Sequence, residues 1–226
     1  KKAKEHLNVD TWNEGYTYRF NTVSANALLA RVYLYKGDWH NALEEAKTVI
    51  QKHGTLEDMN TSKVLPNYYL SAENIVALEQ VMTSGYVKIG VPDKALVDAY
   101  RTGDKRKALY YKARTSSVYN LIKYGDGGND GYRCSFRSAE AYLIAAEASA
   151  ECAADNAAAT DSNLKEARVH LKALMEKRYA AAKYSQYAAA LDEMNKAQLL
   201  EAISNERRCE LAFEGHRWFD LRRTTR

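Results

Sequence analysis

Residues 22–54 read TVSANALLARVYLYKGDWHNALEEAKTVIQKHG. Leu29, Ala30 and Tyr33 recur at the spacing of one helical face, which predicts a helix ending near Gly37. A glycine there supplies the left-handed residue that closes a helix, and Asp38 stands where the next helix takes its N-cap. Trp39, Ala42, Ala46 and Val49 restart the apolar stripe, and Gly54 ends it. The segment therefore predicts a helical hairpin. The small Ala30 and Ala42 fall where two antiparallel helices must come closest, flanked by Leu29, Tyr33 and Trp39, which is the order of a tetratricopeptide repeat. One such hairpin cannot bury its own face, so further hairpins must stack on it.

A second hairpin is predicted from RSAEAYLIAAEASAE, residues 137–151, and LKEARVHLKALMEKR, residues 164–178. Leu143, Ala146, Ala167, Leu171 and Leu174 give the helical period, and the alanine-rich CAADNAAATDSN replaces a short glycine turn. A third helical region covers about residues 186–224, with Asp192 and Asn195 as candidate starts. Between the hairpins, residues 55–136 differ in character. NIVALEQVM (74–82) fits a short strand or a helix, PDKALVDAYRTG (92–103) a short capped helix, and YGDGGNDGY (124–132) a turn. The fold expected is mainly α, a single domain over residues 1–226. It comprises an α-α superhelix of a tetratricopeptide-like hairpin (22–54) and a second hairpin with the C-terminal motif helix (137–226), around a loop-rich segment (55–136) where ligand contacts are expected.

Composition agrees with a globular helical protein: 46% of the 226 residues are hydrophobic, 27% are charged, and only two are proline. With 33 basic and 29 acidic residues the net charge of +4 is too small and too evenly spread for a phosphate-binding face. The densest basic run, RTGDKRKALYYKAR (101–114), interleaves cations with Tyr110 and Tyr111. It reads as a solvated loop rather than a base-stacking surface. Cys134, Cys152 and Cys209 have no metal-ligand spacing and read as small buried hydrophobes. The five histidines, His6, His40, His53, His170 and His216, stand apart from any nucleophile or metalloprotease motif, so no catalytic function and no cofactor are expected. The loop from Asp126 to Gly131 lacks the oxygen ligands of a calcium site at Gly128 and Arg137.

The charge pattern of ERRCELAFEGHRWFDLRR, residues 206–223, is unusual. As one helix it would place Leu200, Ile203, Arg207, Leu211, Glu214 and Trp218 on a single face, with Gly215 allowing a kink. Charges inside an apolar stripe are tolerable only when paired, because an unpaired buried charge costs several kcal/mol or more. An internal ion-pair network is therefore expected from Arg207, Arg208, Glu210, Glu214, Arg217 and Asp220. Arg207 would pair with Glu214, and Arg217 with Asp220. A metal held by Glu206, Glu210 and Glu214 is disfavoured, since the interleaved arginines already supply the countercharge.

These residues carry a resemblance. Glu206, Arg207, Arg208, Glu210, Leu211, Glu214, Gly215, Arg217, Asp220, Leu221 and Arg223 match the C-terminal motif of the SusD/RagB family of Bacteroidetes surface lipoproteins. The hairpin at 22–54 resembles that family's central tetratricopeptide-like unit. LVDAYRTGDKR resembles its D-x-R element at Asp104 and Arg106, and RSAEAYLIAAEA its R-x-A-E helix. The resemblance implies a non-catalytic, surface-exposed protein of the cell outer membrane. Such a protein binds glycan or another nutrient for polysaccharide utilization and delivers it to a TonB-dependent SusC-like transporter. It also implies a lipid anchor not present in this chain. The chain lacks the family's N-terminal part and its C-terminal end, and so reads as a partial chain.

Sugar rings are recognised by flat aromatic faces with amides or carboxylates beside them. NYYLSAEN (67–74) supplies Asn67, Tyr68, Tyr69 and Asn74, and Tyr86 follows. Trp12, Tyr16 and Tyr18 form a second aromatic cluster. The candidate glycan-binding residues are Tyr68, Tyr69, Asn67 and Tyr86. The alternative function is a tetratricopeptide-type scaffold that holds a peptide or protein partner.

Overall fold

The computed structural model describes residues 2–13, 15–78, 83–125, 128–129, 131–133 and 135–224. The predicted first hairpin is α2 (Thr22–Lys36) and α3 (Trp39–His53), preceded by a short α1 (Lys2–Glu5). Asn21 caps α2: its side chain accepts from Ser24 N at 2.7 Å while the Ser24 hydroxyl accepts from Asn21 N at 2.8 Å. This reciprocal pair satisfies two donors that a helix start leaves open. Gly37 closes the helix at φ +71°, as its position predicts. Asp38 does not cap α3 through its side chain; its carboxylate accepts from Asn41 Nδ2 instead, at 2.8 and 2.9 Å. The inward face of α2 is Val23, Ala27, Ala30 and Leu34, which leaves Leu29 half-buried.

The second hairpin is α7 (Ser138–Cys152) and α8 (Ser162–Glu176). Helix α7 lies between α3 and α8 and is buried almost all round. Its alanines explain how. Ala145 and Ala148 meet Ala30, Ala42 and Ala46 of the first hairpin, while Ala139, Leu143, Ala146 and Ala150 meet Leu164, Ala167, Leu171 and Leu174 of α8. Small side chains on two faces let three helices approach one another closely. Asp161 caps α8, accepting from Asn163 N at 2.8 Å and Leu164 N at 3.3 Å.

The remaining helical region is α9 (Ala181–Asp192), α10 (Lys196–Glu210) and α11 (Arg217–Thr224). Asn195 starts α10 through a capping box with Gln198, whereas Asp192 ends α9 and pairs with Lys172 at 2.6 Å. Leu191, Leu199 and Ile203 carry the α7–α8 core onward into these helices. Helix α10 stops at Glu210, so residues 206–223 are not one helix. The chain turns at Leu211–Phe213, and Trp218 is 67% exposed rather than aligned with Ile203.

The middle segment is short elements fastened to this stack. Strand β1 (Asn74–Val76) pairs antiparallel with β4 (Phe136–Arg137), with Asn74 opposite Arg137. Strands β2 (Tyr111–Ala113) and β3 (Tyr119–Leu121) form a second antiparallel ladder, with Tyr111 opposite Leu121. Helices α4 (Ser84–Ile89), α5 (Lys94–Asp98) and α6 (Lys105–Tyr110) lie between β1 and β2. The basic run at 101–114 is thus α6 and β2, not a loop, and Arg106, Tyr110 and Tyr111 are buried. Tyr100, Tyr110, Tyr111, Leu121 and Tyr124 form their own core, pinned to α10 where Tyr100 donates its hydroxyl proton to Cys209 O at 2.7 Å. Cys209 is buried as expected; Cys152 is exposed, and Cys134, like Asp126 and Asp130, lies outside the described residues. No described helix is long and apolar enough to cross a membrane.

Candidate functional site

Glu210 is the hub of the buried charges. Its Oε1 accepts from Arg137 Nη1 at 2.6 Å and Arg178 Nη2 at 2.9 Å, and its Oε2 from Arg106 Nη1 and Arg178 Nε, both at 2.9 Å. Glu73 takes the far sides of Arg137 (3.0 Å) and Arg178 (2.5 Å). Glu214 receives Arg137 Nε at 2.9 Å and Nη2 at 2.8 Å, and Lys123 Nζ at 2.5 Å. Asp104, in the turn before α6, grips Arg106 through Nε at 2.9 Å and Nη2 at 2.7 Å. Each charge here is 8% exposed or less. Burial on this scale is tolerated because each ion meets opposite charge at hydrogen-bond distance.

The balance of charge is specific. Arg106, Lys123, Arg137 and Arg178 face Glu73, Asp104, Glu206, Glu210 and Glu214, so a full set of carboxylates would leave one negative charge in excess. Burial, reinforced by Asp104 and Glu210, raises the pKa of Glu206 against the pull of Arg106. A proton on Glu206 would even the count. Against the same upward pull of burial, Arg178, Arg137 and Arg106 hold Glu210 well below the ordinary carboxylate range. Burial lowers Lys123, yet its nitrogen meets three oxygens: Glu210 O and Ala212 O at 3.0 Å, and Glu214 Oε1. Three acceptors at one amine nitrogen require the three donors of an ammonium.

A second cluster adjoins the first. Arg207 pairs through Nε with Asp220 at 2.9 Å, and Asp220 also accepts from Arg223 Nε at 3.0 Å. Glu140 receives Arg31 Nε at 2.8 Å and Nη2 at 2.6 Å and lies 3.8 Å from Arg207. The expected pairing is thereby redrawn. Arg207 meets Asp220 rather than Glu214, because the turn after Glu210 carries Glu214 to the other side of the helix end. Arg217 is exposed and does not pair with Asp220; Arg208 is half-buried; neither forms an ion pair among the described residues. Sequence reasoning missed Glu73, Lys123 and Arg178. Each is a lone charge whose partners lie 32 to 105 residues away, and no local spacing marks it.

The aromatic candidates are tied to this core. Asn67 is fully buried, and its Nδ2 donates to Lys123 O at 3.0 Å, so it props the loop from inside. The chain then turns outward. Tyr68 packs edge-on against Tyr69 at 5.0 Å and Tyr132 at 5.3 Å. Gly131 permits this, since a Cβ there would fall 2.7 Å from the Tyr68 ring. Tyr69 N donates to Gly131 O at 2.8 Å, and Ala77 N to Thr17 O at 3.0 Å. The second bond draws the N-terminal loop across β1. As a result Tyr18 and Tyr69, one from each aromatic cluster and 51 residues apart in the chain, share one depression of about 380 Å³ lined also by Thr17, Gly131 and Arg133. Arg19 lies over the rings of Tyr16 (4.6 Å), Trp12 (5.4 Å) and Tyr18 (5.7 Å), stiffening that wall. Tyr86, 64% exposed on α4, does not line the depression.

The family model of the SusD family matches residues 10–226. The chain belongs to the SusD family. Solved SusD structures share its fold. A SusD superfamily protein from Bacteroides fragilis is 25% identical, with a TM-score of 0.74 over 98% of this chain and 52% of its own. A SusD-like carbohydrate binding protein from Bacteroides vulgatus is 21% identical, with a TM-score of 0.70 over 98% of this chain and 49% of its own. A laminarin binding SusD-like protein is 20% identical, with a TM-score of 0.66 over 99% of this chain and 59% of its own. The chain thus spans about half the length of these SusD relatives. No curated protein sequence matches it.

Proposed function

We propose that this chain forms part of a non-catalytic SusD-type receptor that binds an oligosaccharide at the depression between Tyr18 and Tyr69. The observation that carries the reading is the meeting of two aromatic segments, distant in sequence, at one open site with a guanidinium beside them. Aromatic rings cover the apolar face of a sugar, while Arg133 and the Thr17 hydroxyl face its oxygens. Tyr68 acts from behind as the prop of Tyr69, and Asn67 holds the loop to Lys123. Tyr86 is a separate, outlying contact for a longer glycan chain.

Membership of the SusD family and the laminarin-binding relative support a glycan as the ligand class. On the same basis the receptor sits at the outer-membrane surface through a lipid anchor and passes its glycan to a SusC-like transporter. The test is isothermal titration of the 226-residue protein with soluble β-glucan and α-glucan oligosaccharides. Binding to either class, weakened about tenfold in Tyr18→Ala with Tyr69→Ala, is the expected result, since each stacked ring contributes on the order of 1 kcal/mol. Glycan binding that survives the double substitution would remove this site. Capture of a peptide with no glycan bound would favour the tetratricopeptide-type scaffold.

A further inference from the structure

The C-terminal motif contains three arginines that the buried charges leave unused, Arg208, Arg217 and Arg222. Arg208 and Arg217 line a cavity of about 450 Å³, larger than the Tyr18–Tyr69 depression. Its wall is apolar: Leu96 from α5, Leu211, Ala212 and Phe213 from the turn after α10, and Trp218 from α11. Phe213 is held at φ +65°, the single non-glycine residue with positive φ among the described residues, and its carbonyl accepts from Tyr124 Oη at 2.8 Å.

The other half of the cavity is cationic. Helix α11 begins at Arg217, and the backbone N–H groups of Arg217, Trp218 and Phe219 find no acceptor among the described residues. These are the groups, at the positive end of the helix, that bind anions. Arg207 also lines this cavity, but its Nη1 and Nη2 are buried and its charge is met by Asp220 at 2.9 Å and Glu140 at 3.8 Å. Two acids line the same space: Asp93, an exposed carboxylate that caps α5 by accepting from Ala95 N at 2.8 Å, and Asp220, shared by Arg207 and Arg223. Arg208 and Arg217 themselves form no ion pair among the described residues.

We infer that this cavity binds an organic carboxylate with an apolar body, its carboxylate between Arg208, Arg217 and the first turn of α11 and its body against Leu96, Leu211 and Trp218. Each half excludes a simpler ligand. An inorganic anion would leave the apolar wall wet, and a neutral sugar would leave the guanidinium groups unpaired. The site lies apart from the proposed glycan depression and shares no lining residue with it.

The test compares 4-phenylbutyrate with its neutral amide on the 226-residue protein, by calorimetry and tryptophan fluorescence. The carboxylate binds saturably and at least roughly tenfold more tightly than the amide, and the fluorescence response disappears in Trp218→Phe. Arg208→Ala with Arg217→Ala removes the preference for the carboxylate, while Tyr18→Ala with Tyr69→Ala leaves it unchanged. Should the double arginine variant unfold, the single Arg217→Gln, at an exposed position, reads the same loss. Equal binding of acid and amide, absence of saturable binding, or a preference that outlives the arginine substitutions would overturn the inference.

Discussion

Arg137 and Glu214, 77 residues apart, meet through two parallel hydrogen bonds: Nε to Oε2 at 2.9 Å and Nη2 to Oε1 at 2.8 Å. Arg137 ends β4 and opens α7, while Glu214 follows the turn after α10, so this pair fastens the end of the middle segment to the chain's last motif. The same guanidinium reaches Glu73 beside β1 and Glu210 on α10. One side chain thus holds together three segments that have no covalent reason to be near one another.

Removing Arg137 leaves three carboxylates buried without their shared partner. Arg137→Ala should cost about 3–5 kcal/mol, the usual loss when half of a buried pair is deleted. Urea denaturation followed by circular dichroism measures it. A shift of the midpoint within error would place these charges in water in solution.

The pairing of Arg207 is decided by a double-mutant cycle. Arg207→Ala combined with Asp220→Ala should show a coupling of about 1–3 kcal/mol, as groups in contact do, and the cycle with Glu214→Ala below about 0.5 kcal/mol. The reverse order would mean that α10 continues past Glu210.

Acid should unfold the protein in two stages. Burial pushes the His216 imidazole down from 6.5 to about 4. Against burial, Arg31 holds Glu140 at about 2, and Arg137 with Lys123 holds Glu214 at about 2. All three bind protons more readily in the unfolded chain, so stability is complete above pH 6.5 and declines as pH falls, first through His216 and then, below 4.5, through the carboxylates. Urea midpoints at pH values of about 7.5, 5.5 and 3.5 should fall in that order, and His216→Gln should shrink the first step to the share of His53 and His170, whose imidazoles burial also lowers. A midpoint constant down to about pH 4 would show that His216 titrates as if exposed.

Gly37 carries the turn between α2 and α3 at φ +71°, with only Trp39 within reach of a Cβ, at 3.7 Å. Gly37→Ala should therefore cost about 1–2 kcal/mol through backbone strain, not collision. Gly37→Asn, which tolerates the left-handed region, should recover much of it in thermal melts. Equal losses for both would point to crowding against Trp39.

Much of the fold was legible in one dimension. Helical spacing, Gly37, the alanines at 30, 42 and 46, and Asn195 before α10 act over three or four residues, within the reach of a single turn, so their pattern needs no knowledge of distant chain. The burial of charge in residues 206–223 was legible too, since charges inside an apolar stripe have few other options. The helix end at Glu210 was not. It depends on Phe213 taking positive φ, which the packing of its ring on Tyr111 at 6.4 Å and the bond from Tyr124 hold in place, and nothing in the residue type announces it.

By itself, then, the sequence determined the stacked hairpins and the helix ends marked by Gly37 and Asn195, because these follow from periodicity and short-range hydrogen bonding. Only the tertiary structure decided which charge meets which, and that Tyr18 and Tyr69 share one surface. A local pattern specifies the direction in which a side chain points, but its partner is whatever the rest of the chain brings there, as Arg178 meeting Glu73 across 105 residues illustrates.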